Sequence, residues 1–226
     1  MPTSESTCWS LIHGAAAGDA DDRSGFARRY APVVRAYLAA RWRGTPHAQD
    51  LDDALQEVFV ACFEPGGALA RAEPDRPGGF RAYLYGVARN FARRIETRKA
   101  RGREHQPPSD PGLEQFPADD ASLARAFDRA WAETLLREAA RRQAELAARD
   151  PAAVRRVDLL RLRFHDGLPI RDIAARWGED PAALHREYAK ARREFQAALR
   201  DVVAFHQPGP PDAIDRACAE LLTLLG

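Results

Sequence analysis

Residues 80–103 read FRAYLYGVARNFARRIETRKARGR. Phe80, Leu84, Val87, Phe91 and Ile95 recur at i, i+4, i+7, i+11 and i+15, the spacing of one face of an α-helix. No proline interrupts the run, and Glu96 is its single acid. The far side carries Arg81, Tyr85, Arg89 and Arg93, and past Ile95 both sides turn basic through Arg98, Lys99, Arg101 and Arg103. Solubility does not require that much cation. A solvated basic helix gives the same pattern. The alternative is a nucleic-acid surface, where rings and guanidinium groups stack on exposed bases while other arginines hold the backbone. That chemistry suits DNA being opened better than intact duplex.

On the N-terminal side, residues 64–79 (EPGGALARAEPDRPGG) form a Pro/Gly-rich loop. Before it, DLDDALQEVFVACF (50–63) places Leu51, Leu55, Val58, Phe59 and Cys62 on one helical face. Asp52, Asp53, Gln56 and Glu57 are left outside. These acids form either a solvated helix face or a protein-docking surface, since carboxylates would hinder contact with DNA. Further back, Phe26, Tyr30, Val33, Val34, Tyr37 and Leu38 recur at helical spacing from Phe26 to Trp42, with Pro32 marking the first turn. Three such helices can close one compact bundle.

On the C-terminal side, residues 104–120 (EHQPPSDPGLEQFPADD) are rich in Pro and acid, the composition of an extended linker. A long helix follows from near Ser122 toward Arg149, with Leu123, Phe127, Trp131 and Leu135 inward. Asp150-Pro151 reads as an N-cap and N1 proline opening a helix with Ala153, Val157, Leu160 and Phe164 inward. Then GLPIRDIAARWGEDPAALHREYAKARREF (167–195) gives a short helix stopped at Gly178 and a second capped by Asp180 with Pro181 at its first position. Ala174, Gly178 and Leu184 have the spacing of a helix-turn-helix: the small residue allows close crossing, the glycine takes the turn, the leucine locks the second helix. With Leu184 and Tyr188 inward, His185, Arg186, Lys190 and Arg193 point outward together, as a major-groove face would. An ordinary helical hairpin with solvated charges is the competing reading, and Glu187 within the helix favours it. Last, residues 206–226 (HQPGPPDAIDRACAELLTLLG) read as a Pro-Gly tether and an amphipathic helix striped by Ile214, Ala217, Cys218, Leu221, Leu222 and Leu225.

No run alternates apolar and polar β-branched residues, so the expected fold class is all-α. Length is ample for two small domains: 226 residues, with 45% hydrophobic and 30% charged. The 34 basic and 33 acidic residues leave a net charge of +1, so the information lies in the distribution of charge along the chain. Cys8, Cys62 and Cys218 are far apart with no C-x-x-C, so neither a metal site nor a disulfide framework is expected; Cys62 and Cys218 fall on apolar stripes as buried thiols. The opening residues lack the pattern of a signal peptide, and no apolar run is long enough to span a membrane. A cytoplasmic location is expected. The six histidines are dispersed, and no phosphate loop or nucleophile–base grouping is readable. No catalytic residue, cofactor or small-molecule substrate is therefore expected.

Taken together, three stretches resemble the extracytoplasmic-function branch of bacterial RNA polymerase sigma factors. DALQEVFVACF is similar to that family's D-x-x-Q-E-x-F helix, which docks on the largest polymerase subunit; Asp53, Gln56, Glu57 and Phe59 take those positions. FRAYLYGVARNFARR resembles its F-R-A-W-L-Y-x-I-A-R-N helix, which with the loop before it engages and melts the −10 promoter element. The resemblance gives that role to Arg81, Tyr85, Arg89, Asn90 and Arg93. Residues 160–195 resemble its C-terminal helix-turn-helix, which reads −35 DNA; His185, Arg186, Lys190 and Arg193 would enter the groove, with Arg171 available for phosphate.

The resemblance implies a region 2-like domain (1–104), an acidic linker (105–121), a region 4-like domain (122–206) and a tethered C-terminal helix (207–226). In the linker, Asp110, Glu114, Asp119 and Asp120 would mimic nucleic-acid charge inside the polymerase. The implied partners are core RNA polymerase and promoter DNA, with an anti-sigma factor or other regulator also compatible. Three positions depart from the family: Tyr83 replaces Trp, Arg94 stands where an acid is common, and EDPAAL (179–184) opens the second helix. Promoter preference is therefore not transferable. A stand-alone helix-turn-helix regulator, and a sigma-like adaptor that holds another protein, remain the alternatives.

Overall fold

The computed structural model describes residues 7–74, 76–103 and 119–224. Among them are nine α-helices and no strand: α1 (Cys8–Ala17), α2 (Ala20–Arg41), α3 (Leu51–Phe63), α4 (Gly79–Arg103), α5 (Asp120–Ala147), α6 (Pro151–Phe164), α7 (Ile170–Trp177), α8 (Pro181–His206) and α9 (Pro211–Thr223). The all-α expectation holds. By packing, the chain divides into two units, Met1–Thr134 with Leu221–Gly226 and Leu135–Glu220. The division falls inside α5, with the buried Leu123, Phe127 and Trp131 in the first unit.

In the first unit α2 is the central post. Asp19 caps it, its side chain accepting from Asp22 N–H at 2.8 Å, so the helix begins well before Phe26. Pro32 consequently lies inside the helix, not in its first turn. Phe26, Tyr30, Val33, Val34, Tyr37 and Leu38 are all buried, as the periodicity predicts. Rings dominate the core: Phe26 meets Tyr30 at 4.7 Å, Tyr30 meets Phe80 at 5.1 Å, and Trp9 of α1 meets Phe80 edge-on at 5.9 Å. No element was expected before Phe26, so α1 is an addition. Arg23 fastens it by donating to the Ala15 carbonyl (3.0 Å) and the Phe63 carbonyl (2.9 Å), acceptors in the last turns of α1 and α3. On α3, Ala54, Val58 and Cys62 are buried while Leu51, Leu55 and Phe59 are half-buried. Burial pushes the Cys8 and Cys62 thiols up to about 12 and raises Cys218, so all three are buried, unreactive thiols.

Glu96, the lone acid of the basic stretch, has a structural task. Its carboxylate accepts Arg41 Nε at 2.7 Å, Arg41 Nη2 at 2.9 Å and the buried Trp42 indole N–H at 2.8 Å. This bidentate clamp ties the end of α2 to the last turns of α4.

In the second unit, Leu159 and Leu162 of α6, Ile170, Ile173 and Ala174 of α7, and Leu184 of α8 form one cluster, joined at its edge by Leu168, Trp177 and Tyr188. Gly178 takes the turn at φ +67, and its N–H bonds back to α7. Asp180 accepts from Ala183 N–H at 2.8 Å and Pro181 sits at N1 of α8. Asp180→Ala is expected to cost about 1 kcal/mol, visible as faster amide exchange in the first turn of α8.

One expectation for this half of the chain, the inward face of α6, needs correction. Helix α5 starts at Asp120, two residues before Ser122, because Asp119 caps it by accepting from Ser122 N–H at 2.6 Å; it ends at Ala147. Residues 105–118 of the linker, including Asp110 and Glu114, lie outside the described residues. On α6, Phe164 is 69% exposed and the buried face carries Arg156 instead, with Ala153, Leu159, Leu160 and Leu162. A buried arginine reads as surface in any apolar pattern, which rotated the predicted face.

On α9, Cys218 and Leu221 are buried, whereas Leu222 is 54% exposed and Leu225 lies outside the described residues. An Arg200–Asp215 ion pair binds α9 to α8. Among the described residues no helix is long and apolar enough to cross a membrane.

Candidate nucleic-acid and polymerase interfaces

Helix α3 presents its acids outward. Asp53, Gln56 and Glu57 are exposed, one turn apart, and Val60 continues the same face at 52% exposure. Neighbouring helices neutralise the flanks of this face. Arg35 pairs with Asp52, Lys99 with Asp50, and Arg98 Nη2 donates to both Glu57 oxygens at 2.8 and 3.0 Å. Asp53 has no ion pair among the described residues. A carboxylate, an amide and an exposed valine in one row suit a protein partner better than a polyanion. Phe59 stands apart from this row: it is half-buried and packs edge-on to Phe26 at 6.0 Å, an anchor of the core.

Leading into α4, the Pro/Gly loop folds back on α3. Ala68 N–H bonds to the Ala61 carbonyl at 3.2 Å, and a Cβ on Gly67 would stand 2.5 Å from that same oxygen, so only glycine fits. Tyr83 holds the loop from the helix side, its hydroxyl donating to the Ala68 carbonyl and its ring lying 5.2 Å beneath the Arg76 guanidinium. The indole expected from the family pattern has no hydroxyl for this bond.

The five α4 residues singled out from sequence fall on two faces. Arg81, Tyr85 and Arg89 face the opening turns of α5. Arg81 pairs with Asp128 at 3.2 Å, Arg89 pairs with Asp120 at 2.6 Å, and the Tyr85 ring lies edge-on to Phe127 at 5.3 Å and to Tyr37 at 5.4 Å. Burial raises the Asp128 carboxyl above the ordinary aspartate value, with Arg81 pulling it back. Asn90 and Arg93 lie on the open face, in a row with Ala82, Gly86, Thr97 and Arg101. A Cβ on Gly86 would meet nothing within 4 Å, so packing within the chain does not require a glycine there. A mid-helix glycine costs about 1 kcal/mol relative to alanine, and its usual return is close approach to the backbone. The glycine was legible in the sequence, but its position on the open row was not.

On α8, His185, Arg186, Lys190 and Arg193 are exposed, as is Arg171 on α7, which pairs with its neighbour Asp172 at 3.2 Å. Glu187 is turned toward α6 instead. There Arg156, 5% exposed and lying just beneath a roof of carboxylates, donates to Glu194 at 2.9 Å and to Glu187 at 3.4 Å and pairs with Asp150 at 3.6 Å. Glu187 and Glu194 of α8 are thereby neutralised by Arg156. Arg155 reinforces the turn, stacking 4.6 Å over Trp177 and pairing with Glu179.

Residues 26–102 match the family model for sigma-70 region 2. The match runs from inside α2 to the end of α4, and covers the acidic row, the loop and both faces of α4. Over that stretch it supports a sigma factor family member acting in transcription initiation, with core RNA polymerase and promoter DNA as the implied partners. No curated protein matches the chain.

Proposed function

We propose that this chain is a sigma factor of the extracytoplasmic-function kind, which binds core RNA polymerase and directs it to promoters by reading −35 DNA and opening −10 DNA. The observation that carries the reading is the coincidence of the region 2 match with two surfaces of opposite character. The acidic row of Asp53, Gln56 and Glu57 would hold polymerase. The α4 residues Asn90 and Arg93, with Arg81, Tyr85 and Arg89 on the neighbouring face, would hold opened −10 DNA through stacking and backbone contacts. Helices α7 and α8 would act as a helix-turn-helix, placing His185, Arg186, Lys190 and Arg193 in the major groove with Arg171 on phosphate. Neither contact needs to be strong alone, because one chain carrying both raises the effective concentration of each at the other's site.

Run-off transcription with core polymerase on the gene's own upstream region tests this. Asn90→Ala/Arg93→Ala should lower open-complex formation at least tenfold, since each base or phosphate contact is worth about 1–3 kcal/mol, while leaving polymerase co-elution intact. Asp53→Arg should abolish co-elution. Duplex binding that is indifferent to Asp53→Arg, with no transcript from any template, would favour a stand-alone regulator instead.

A further inference from the structure

The DNA face that the proposed function assigns to Arg81, Tyr85 and Arg89 is already occupied, by residues of the same chain. We propose that the opening turns of α5 are an acidic cover over this face, and that opened DNA displaces them. The inference rests on the −10 reading of α4 and adds the regulation of that site.

Three contacts carry it, each aimed at one of the three residues. Asp120 sits on the Arg89 guanidinium at 2.6 Å, Asp128 on the Arg81 guanidinium at 3.2 Å, and Phe127 fills the edge of the Tyr85 ring at 5.3 Å. Two carboxylates and an aromatic ring thus take the places that two phosphates and a base would take on a stacking surface. The spacing is helical on both sides: Arg81, Tyr85 and Arg89 at i, i+4, i+8 on α4, and Asp120, Phe127 and Asp128 within three turns of α5. The cover is not part of the region 2 match, which ends at residue 102 while α5 begins at Asp120. The domain of known type therefore presents the face, and a segment beyond it supplies the occupant.

The cover is built to be removable at its start and held at its far end. Asp120 is 61% exposed and its ion pair is a surface one, which water and salt weaken. Farther along, Trp131 stacks on Tyr30 at 5.8 Å with an interplanar angle of 15°, within the aromatic core. Phosphates would exchange for the two carboxylates, and the first three turns of α5 would lift at the cost of exposing Leu123 and Phe127, both 0% exposed in the closed state. Trp131 would keep the helix in place. On α4, Asn90 and Arg93 stay open throughout and can make the first encounter with DNA.

The experiment uses the full chain and a mixed-sequence single-stranded 20-mer. Asp120→Asn/Asp128→Asn should bind the oligonucleotide about tenfold more tightly than wild type, the loss of about one charge-assisted contact's worth of competition. Asp21→Asn/Asp212→Asn, which removes two exposed acids elsewhere, should change affinity less than twofold and so separates the cover from plain charge. In wild type, amides of residues 123–128 should exchange slowly in the free protein and faster when the oligonucleotide is saturating. Equal affinity of wild type and Asp120→Asn/Asp128→Asn overturns the cover and leaves the −10 reading standing, as does unchanged exchange at saturation. Failure of every variant to bind the oligonucleotide, with or without core polymerase, overturns both.

Discussion

Arg156→Ala loosens the second unit by about 2–3 kcal/mol, the expected cost of removing one partner from a shallowly buried ionic cluster. The cation is 5% exposed and is the common partner of Glu194, Glu187 and Asp150. Its removal leaves three carboxylates facing one another across α6 and α8, and opens a gap where the guanidinium stem packed. Hydrogen bonds to Glu194 are the main influence that raises Arg156 above the ordinary arginine value, so no accessible pH discharges it. Glu194 and Glu187 are partly exposed and can rehydrate, which is why the cost falls below that of a deeply buried pair. With two units in the chain a single melting temperature is not well defined, so amide exchange in α6 and α8 is the measurement. Duplex binding should fall as well, because Glu187 and Glu194 then add uncompensated negative charge to the helix that carries Arg186, Lys190 and Arg193. Arg156→Lys keeps the charge without the fork and should restore part of the binding. Exchange rates in α6 and α8 equal to wild type in Arg156→Ala would remove this cluster from the account of the unit.

Glu96→Ala should destabilise the first unit by a similar amount, about 2–3 kcal/mol. It removes both hydrogen bonds from Arg41 and strands the indole N–H of Trp42, which is 1% exposed. Glu96→Gln keeps an acceptor for the indole and should cost less. The clamp also has a pH signature. Burial alone would raise the Glu96 carboxyl, but the hydrogen bonds from Arg41 and Trp42 outweigh it and hold the group below its ordinary value of 4.5. A depressed acid stabilises the fold above its unfolded value and loses that contribution as pH falls through the folded one. Wild type should therefore lose the clamp's share of stability below about pH 4.5, and Glu96→Gln should lack that component. Coincident acid-unfolding curves for the two proteins would show that the carboxylate is not ionised in the clamp.

Residues of one type can serve three purposes on one helix. Arginines at 81, 89, 93 and 98 look alike along the basic stretch, yet Arg98 neutralises Glu57, Arg81 and Arg89 meet α5, and Arg93 stays open. Charge counting along the chain cannot separate these, because the difference lies in what faces each side chain.

Local signals were enough for the helices and their ends. The Leu84, Val87 and Ile95 stripe, the Asp180-Pro181 start and the Gly178 stop all work within a few residues of chain, through periodicity, capping and left-handed backbone, and each appears in the structure where it was read. The acidic row on α3 and the basic row on α8 were likewise legible, since a helix with one buried face must present the other. Partnership across the fold was not. That α5 lies on Tyr85, that Arg156 turns inward while Phe164 turns outward, and that Glu96 clamps Arg41 depend on residues 30 to 60 positions apart meeting in space. Hydrophobic periodicity carries no term for such encounters: a charged side chain can be buried when distant carboxylates converge on it, and an arginine can be engaged when a distant aspartate arrives.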